Sequence, residues 1–174
     1  GEGKGFEIAQ GRLGPGRIHH CMRLIGQASR ALDYMCRRAN ERQMFGKSMK
    51  DFSSIRQDIA QSYCDIEQAR LLTLAAANKI DEGGIASAKE LISAIKIVAP
   101  SMACQVIDRA IQMLGGKGMS NDTPLIYFYT IARALRLADG PDEVHMYQLG
   151  RNLIKKHLNN DHARVPYFDV DNNQ

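Results

Sequence analysis

A helical apolar period runs through nearly the whole chain and constrains its fold more than any other feature. Ile25, Ala28, Leu32, Met35 and Ala39 step by three and four residues, so they share one stripe of a helix from about Gly16 to Asn40. A polar loop from Glu41 to Asp51 follows. Ile55, Ile59, Tyr63 and Ile66 mark a second helix, which continues through Leu71 and Leu74 to Ile80. Asp81-Glu82-Gly83-Gly84 closes it, glycine taking the left-handed turn that other residues resist. Leu91, Ile95, Val98, Met102 and Val106 mark a third, from about Ile85 to Leu114. Pro100 should kink this helix rather than end it, because the apolar spacing resumes in register beyond it. Gly115-Gly116-Lys117-Gly118 closes the third helix, and two shorter ones cover about Pro124 to Leu137 and Pro141 to Leu158. Pro141 suits a first helical turn, and Asp142 and Glu143 favour the positive end of the dipole. No run alternates with strand period over a useful length. The expected class is all-α, an up-and-down helical bundle over residues 1–158, with a loosely attached polar tail over 159–174.

Composition narrows the function classes. The 174 residues suffice for one domain, and 44% hydrophobic with 24% charged residues excludes disorder. Apolar runs are only a handful of residues long, so no membrane-spanning helix is expected. The net charge of +4, from 23 basic and 19 acidic side chains, is weak and interspersed, which does not argue for nucleic acid. Cys21, Cys36, Cys64 and Cys104 form no CxxC pair, so reduced, mostly buried thiols are expected rather than disulfides or zinc ligands. The opening Gly1-Glu2-Gly3-Lys4-Gly5-Phe6 reads as a linker into the domain. No leader is visible, so the chain reads as a piece of a longer protein, with any targeting signal upstream.

Three loops carry unusual residues. Arg42-Gln43-Met44-Phe45-Gly46-Lys47 could be an interhelix turn with Phe45 pinned to the core. Gln112-Met113-Leu114-Gly115-Gly116-Lys117-Gly118 could be a helix cap; it lacks the glycine spacing and the Ser or Thr of a P-loop. Leu137-Ala138-Asp139-Gly140-Pro141 could be a helix corner. Taken together, they gather an arginine beside an aromatic, glycines that let backbone approach a ligand, and a carboxylate on a Gly-Pro corner. Those parts suit an anionic cofactor and a proton transfer. A Ser/His/Asp hydrolase motif is missing, and Glu143 and His145, two residues apart, do not share a helix face, so no metal is expected.

At these loops the chain resembles the C-terminal helical domain of the acyl-CoA dehydrogenase family, with the markers in the family's order from Gly1 to about Leu158. The resemblance is nearest to the branch with kinase-fused and peroxisomal or mitochondrial members. It implies an FAD-dependent enzyme of fatty acid β-oxidation that desaturates acyl-CoA thioesters between the α and β carbons. Asp139 stands where most members place a glutamate base, and it would take the α-proton while the β-hydrogen leaves for the flavin as hydride. A carboxylate dried by a fatty chain becomes a stronger base toward a weak carbon acid. The alternative position for a base in the first helix reads Gly14-Pro15-Gly16-Arg17, with no carboxylate.

By the same resemblance, Arg42 and Phe45 contact the FAD of a neighbouring subunit, and a guanidinium suits a pyrophosphate. Gln112, Gly115 and Gly116 reach FAD across that interface. Pro141, Asp142 and Glu143 touch it again where members usually carry Thr or Ser, and Arg17 and Gly140 lie at the substrate end. A homodimer or homotetramer is implied, with the electron-transfer flavoprotein as acceptor; an oxidase remains open. The implied location is the mitochondrion or peroxisome in a eukaryote and the cytoplasm in a bacterium, and the C-terminal Asp-Asn-Asn-Gln is no peroxisomal address. Two rivals remain. One is a non-catalytic bundle for oligomerisation or binding, which would have little reason to keep this set of residues. The other is DNA binding, disfavoured by scattered basic residues and 6% aromatics.

Overall fold

The computed structural model describes residues 1–158, so the expected polar tail lies outside the described residues. Five helices carry the fold: α1 (Gly5–Glu41), α2 (Ser53–Ser87), α3 (Lys89–Leu114), α4 (Leu125–Ala134) and α5 (Asp142–Leu158). After α1, a small antiparallel hairpin pairs β1 (Gln43–Met44) with β2 (Lys47–Ser48). The all-α expectation holds apart from this hairpin, which is too short to carry a strand period.

α3 is the axis of the bundle and packs against α1, α2, α4 and α5. Enclosure by other helices explains why it is apolar over so much of its circumference. By length and composition Lys89–Met119 could even cross a membrane, contrary to the expectation from short apolar runs, but 61% of its most apolar 18 residues is buried within the bundle. Pro100 is buried inside α3, and the helix runs on past it.

α1 follows its expected stripe, with Ile25, Ala28, Met35 and Ala39 buried and Leu32 partly so. It begins earlier than expected. Gly5 and Phe6 are its first turn rather than a linker, and it continues through Pro15. α2 corrects the apolar pattern. Its buried positions are Ser62, Ile66, Ala69, Thr73 and Ala76, whereas Tyr63, Leu71 and Leu74 face outward. Small residues on the inner face let α2 approach its neighbours closely, and the Ser62 and Thr73 hydroxyls bond back to the carbonyls of Asp58 and Ala69. The expected stop at Gly83-Gly84 is a break at Gly84 (φ 74°), after which one more turn reaches Ser87.

The glycine turn after α3 has a structural requirement at its last member. Gly115 caps the helix at φ 66°, and the chain then tightens into a 3-10 turn, Gly115–Met119. A Cβ on Gly118 would stand 2.7 Å from the Ile111 carbonyl oxygen and 2.8 Å from its Cα, backbone that cannot yield. Gly118→Ala is therefore expected to lower unfolding free energy by about 1–3 kcal/mol, read by urea or thermal unfolding. Gly116→Ala, where a Cβ meets nothing within 4 Å, should cost only about 0.5 kcal/mol.

Candidate functional site

The corner between α4 and α5 is built on one buried lysine. Lys96 lies two turns into α3 with 0% of its surface exposed, and its Nζ donates to the carbonyls of Leu135 (2.6 Å) and Ala138 (2.8 Å). These carbonyls sit at and just past the C-terminal end of α4, where helix groups lack intrahelical partners and the dipole is negative. Burial lowers the Lys96 pKa, and Cys21, Asp139 and Asp142 act against that. Beyond Ala138 the backbone turns left-handed twice, at Asp139 (φ 57°) and Gly140 (φ 99°), and enters α5. Aspartate tolerates this region better than most residues. A Cβ on Gly140 would fall 2.8 Å from His145 Nε2, so glycine is required there.

Asp139 is held at two levels. Its carbonyl accepts from Arg17 Nε (3.1 Å) and from His145 Nε2 (3.2 Å), so the proton of His145 sits on Nε2. Its carboxylate Oδ2 lies 3.1 Å from His20 Nε2, and the side chain is 22% exposed. Burial pushes the pKa of His20 down, with Arg23 adding to that and Asp139 opposing it. Burial likewise pushes His145 down. Both rings are therefore neutral donors at neutral pH.

Arg17 and His145 also line a largely apolar groove of about 630 Å³. Phe6 and Gly14 of α1, Ile85, Ile92 of α3 and Val144 of α5 form its walls. The corner is thus joined to an apolar channel through Arg17 and His145, which line the channel and hold the Asp139 carbonyl.

Arg42, Phe45, Gln112, Gly115 and Gly116 gather at the other end of the bundle. There a cleft of about 190 Å³ is lined by Arg38 and Glu41 at the end of α1 and by Leu114 and Lys117 at the glycine turn. Phe45 and Gly46 form the tip of the β1–β2 hairpin, both with positive φ, as a two-residue turn between such strands requires. Phe45 is 91% exposed and is not pinned to the core; Met44 packs there instead. Arg42 is exposed, with no side-chain hydrogen bond or ion pair among the described residues. Gly115 and Gly116 are exposed with nothing within 4 Å of a Cβ. An exposed aromatic, an unengaged guanidinium and open backbone fit an anionic, planar cofactor such as FAD.

The candidate residues therefore form two groups rather than one. From His20 to Arg42 the rise along α1 is roughly 33 Å. At the α5 start, Asp142 is buried with its carboxylate on Arg136 Nε (2.7 Å), Pro141 is half-buried and Glu143 is exposed. The Asp142 side chain thus serves the corner itself.

Sequence reasoning missed Lys96, His20 and His145. Lys96 carried a readable signal: it sits between Ile92 and Pro100 at steps of four, on a face otherwise buried. His20 carried none, since its partner Asp139 is distant in sequence, and His145 lies only six residues past Asp139 but in no motif that marks the contact. Among the described residues no cluster of His, Cys, Asp or Glu could hold a metal ion. All four cysteines are unpaired, but only Cys21 and Cys104 are buried; Cys36 is partly so and Cys64 is exposed. Burial pushes the Cys21 pKa up to about 12, so it stays a thiol that donates to the Ile95 carbonyl.

An all-α bundle with a carboxylate at an apolar groove and a ligand-ready far end is the class that fold and site define. The model of the acyl-CoA dehydrogenase C-terminal domain matches residues 3–154. Acyl-CoA dehydrogenase family member 11 of Rattus norvegicus is 54% identical over 151 residues, 87% of this chain and 19% of that protein. Family member 10 of Mus musculus is 54% identical over 166 residues, 95% of this chain and 16% of that protein. The structure of butyryl-CoA dehydrogenase from Megasphaera elsdenii superposes with a TM-score of 0.80 at 33% identity, covering 88% of this chain and 40% of that one. The chain belongs to the acyl-CoA dehydrogenase family, and it spans less than a fifth of the length of these two mammalian relatives.

Replacing Lys96 by Met keeps the volume and removes the donor from two carbonyls. Lys96→Met is expected to cost about 2 kcal/mol or more in unfolding free energy. It should also speed amide hydrogen exchange over 135–142 more than elsewhere, as mass spectrometry would show.

Proposed function

We propose that this chain forms the base-bearing and part of the cofactor-binding surface of an FAD-dependent acyl-CoA dehydrogenase acting on fatty acyl-CoA thioesters. One observation carries the reading: the Asp139 carboxylate stands on a strained corner tied by Arg17 and His145 to the apolar groove. An acyl chain lying in that groove would exclude water from Asp139 and bring its α-carbon to the carboxylate. Asp139 would take the α-proton, and the thioester carbonyl would delocalise the charge left behind. FAD, when bound, supplies the two-electron acceptor for the β-hydrogen. Aspartate reaches about 1.5 Å less far than the family's usual glutamate, so substrate must approach the corner closely.

The other residues act on cofactor and assembly. Arg42 would pair with the FAD pyrophosphate, Phe45 would lie against its planar parts, and Gln112 with the Gly115–Gly116 backbone would complete the contact. Their distance from Asp139 means that one chain cannot wrap both ends around one flavin. A second copy is needed, and a homodimer or homotetramer supplies it. The outward apolar face of α2, with Tyr63, Leu71 and Leu74, suits such an interface. The electron-transfer flavoprotein is the acceptor this reading expects.

The test uses the whole flavoprotein that carries this domain, mixed without oxygen with saturated acyl-CoAs while flavin absorbance is followed. Asp139→Asn should retain flavin yet slow its reduction by about 10²-fold or more. Near-wild-type bleaching would refute the assignment of the base. Arg42→Ala should weaken FAD binding by about 10- to 100-fold, seen as flavin lost on dialysis. Unchanged retention would remove Arg42 from the cofactor site.

A further inference from the structure

The Asp139 carboxylate is not left to itself: a chain of two α1 side chains ends on it. Building on the reading of Asp139 as the base, we propose that His20 is a positioning residue, locked into one tautomer by Arg23, that fixes one carboxylate oxygen of Asp139 and leaves the other to take the proton.

Geometry and proton inventory carry this. The Arg23 Nη2 lies 2.5 Å from His20 Nδ1. A guanidinium can only donate, so Nδ1 must be the accepting nitrogen and the imidazole hydrogen sits on Nε2. That hydrogen points at Asp139 Oδ2, 3.1 Å away. Arg23 and His20 are one helical turn apart on α1, whereas Asp139 arrives from the α4–α5 corner, so the contact joins two elements. A carboxylate on a single methylene stem can rotate; a donor on Oδ2 restricts it and leaves Oδ1 without that donor.

Charge explains why a neutral ring serves here. A cationic imidazole would hold the carboxylate in its charged form and blunt it as a base. Protonating His20 would require Nδ1, the atom that Arg23 already occupies. His20 is also faced by His19 and Arg23 on α1 and by Lys96 on α3, all of which oppose a further positive charge. Asp139 is faced in addition by Arg17 on α1, while His145 from α5 engages only its carbonyl. The carboxylate thus keeps its counter-charge from Arg17 and Lys96, and its alignment from His20.

The proposal separates from the identity of the base if proton transfer is read without oxidation. The probe is an α-deuterated 3-thia-acyl-CoA, whose sulfur replaces the β-carbon so that no β C–H can be given up. Loss of α-deuterium to water, followed by mass spectrometry on the whole flavoprotein, reports the base alone. His20→Leu is expected to slow exchange about tenfold or more, since the donor that aligns the carboxylate is gone. His20→Gln, whose amide can donate from the place of Nε2, should restore exchange to within about threefold. His20→Asn, too short to reach Oδ2, should behave like His20→Leu and serves if the leucine variant does not fold.

A wild-type exchange rate in His20→Asn or His20→Leu would overturn the role of His20. Equal impairment of the Gln and Asn variants would overturn it too, since donation would then not be what matters. Undiminished exchange in Asp139→Asn would sink the base assignment and this proposal with it.

Discussion

A single buried ammonium holds the functional end of this molecule together. Lys96 is enclosed in the bundle and gives its hydrogens to two carbonyls at the end of α4. Burying a cation is costly unless its donors are satisfied, and here the acceptors are backbone groups that would otherwise lack partners. The two deficits cancel. The corner that follows can then hold the left-handed backbone at Asp139 and Gly140, which no single local preference would maintain. Everything the site does depends on that anchoring: the carboxylate position, the carbonyl shared by Arg17 and His145, and the start of α5.

The length of α1 organises the rest. Its N-terminal half meets the Asp139 corner through Arg17 and His20, and its C-terminal end leads into the hairpin that exposes Phe45. Because a helix is rigid over this distance, the two groups of candidate residues cannot close on one another. In the proposed assembly, the hairpin of one chain would meet the corner of another. The large apolar residues on the outer face of α2 are consistent with such an arrangement, and they explain why that helix defied its apparent stripe. Its inner face belongs to small and hydroxylated residues because α1 and α3 lie close against it.

Much of the fold was legible in the chain alone. The stripes of α1 and, apart from the exposed Val98, of α3, the break at Gly84 and the start of α5 follow from spacing and from glycine and proline chemistry. The reading failed where packing chose between faces. In α2, Leu71 and Leu74 look like core by residue type, yet they face outward. Phe45 looked like a hydrophobic anchor and is the most exposed feature of its turn. At the candidate site, Asp139, Arg42 and the glycines were legible as candidates because each sits in a distinctive local motif. Lys96 and His20 were missed because their meaning lies in partners far along the chain.

The sequence by itself determined the helices, the turns between them and the family, because periodicity, capping and short motifs are local properties. The tertiary structure alone decided which faces are buried, that a lysine in the core closes the α4–α5 corner, and that His20 meets Asp139. Those outcomes depend on distances between residues far apart in the chain, and only the packed bundle sets such distances.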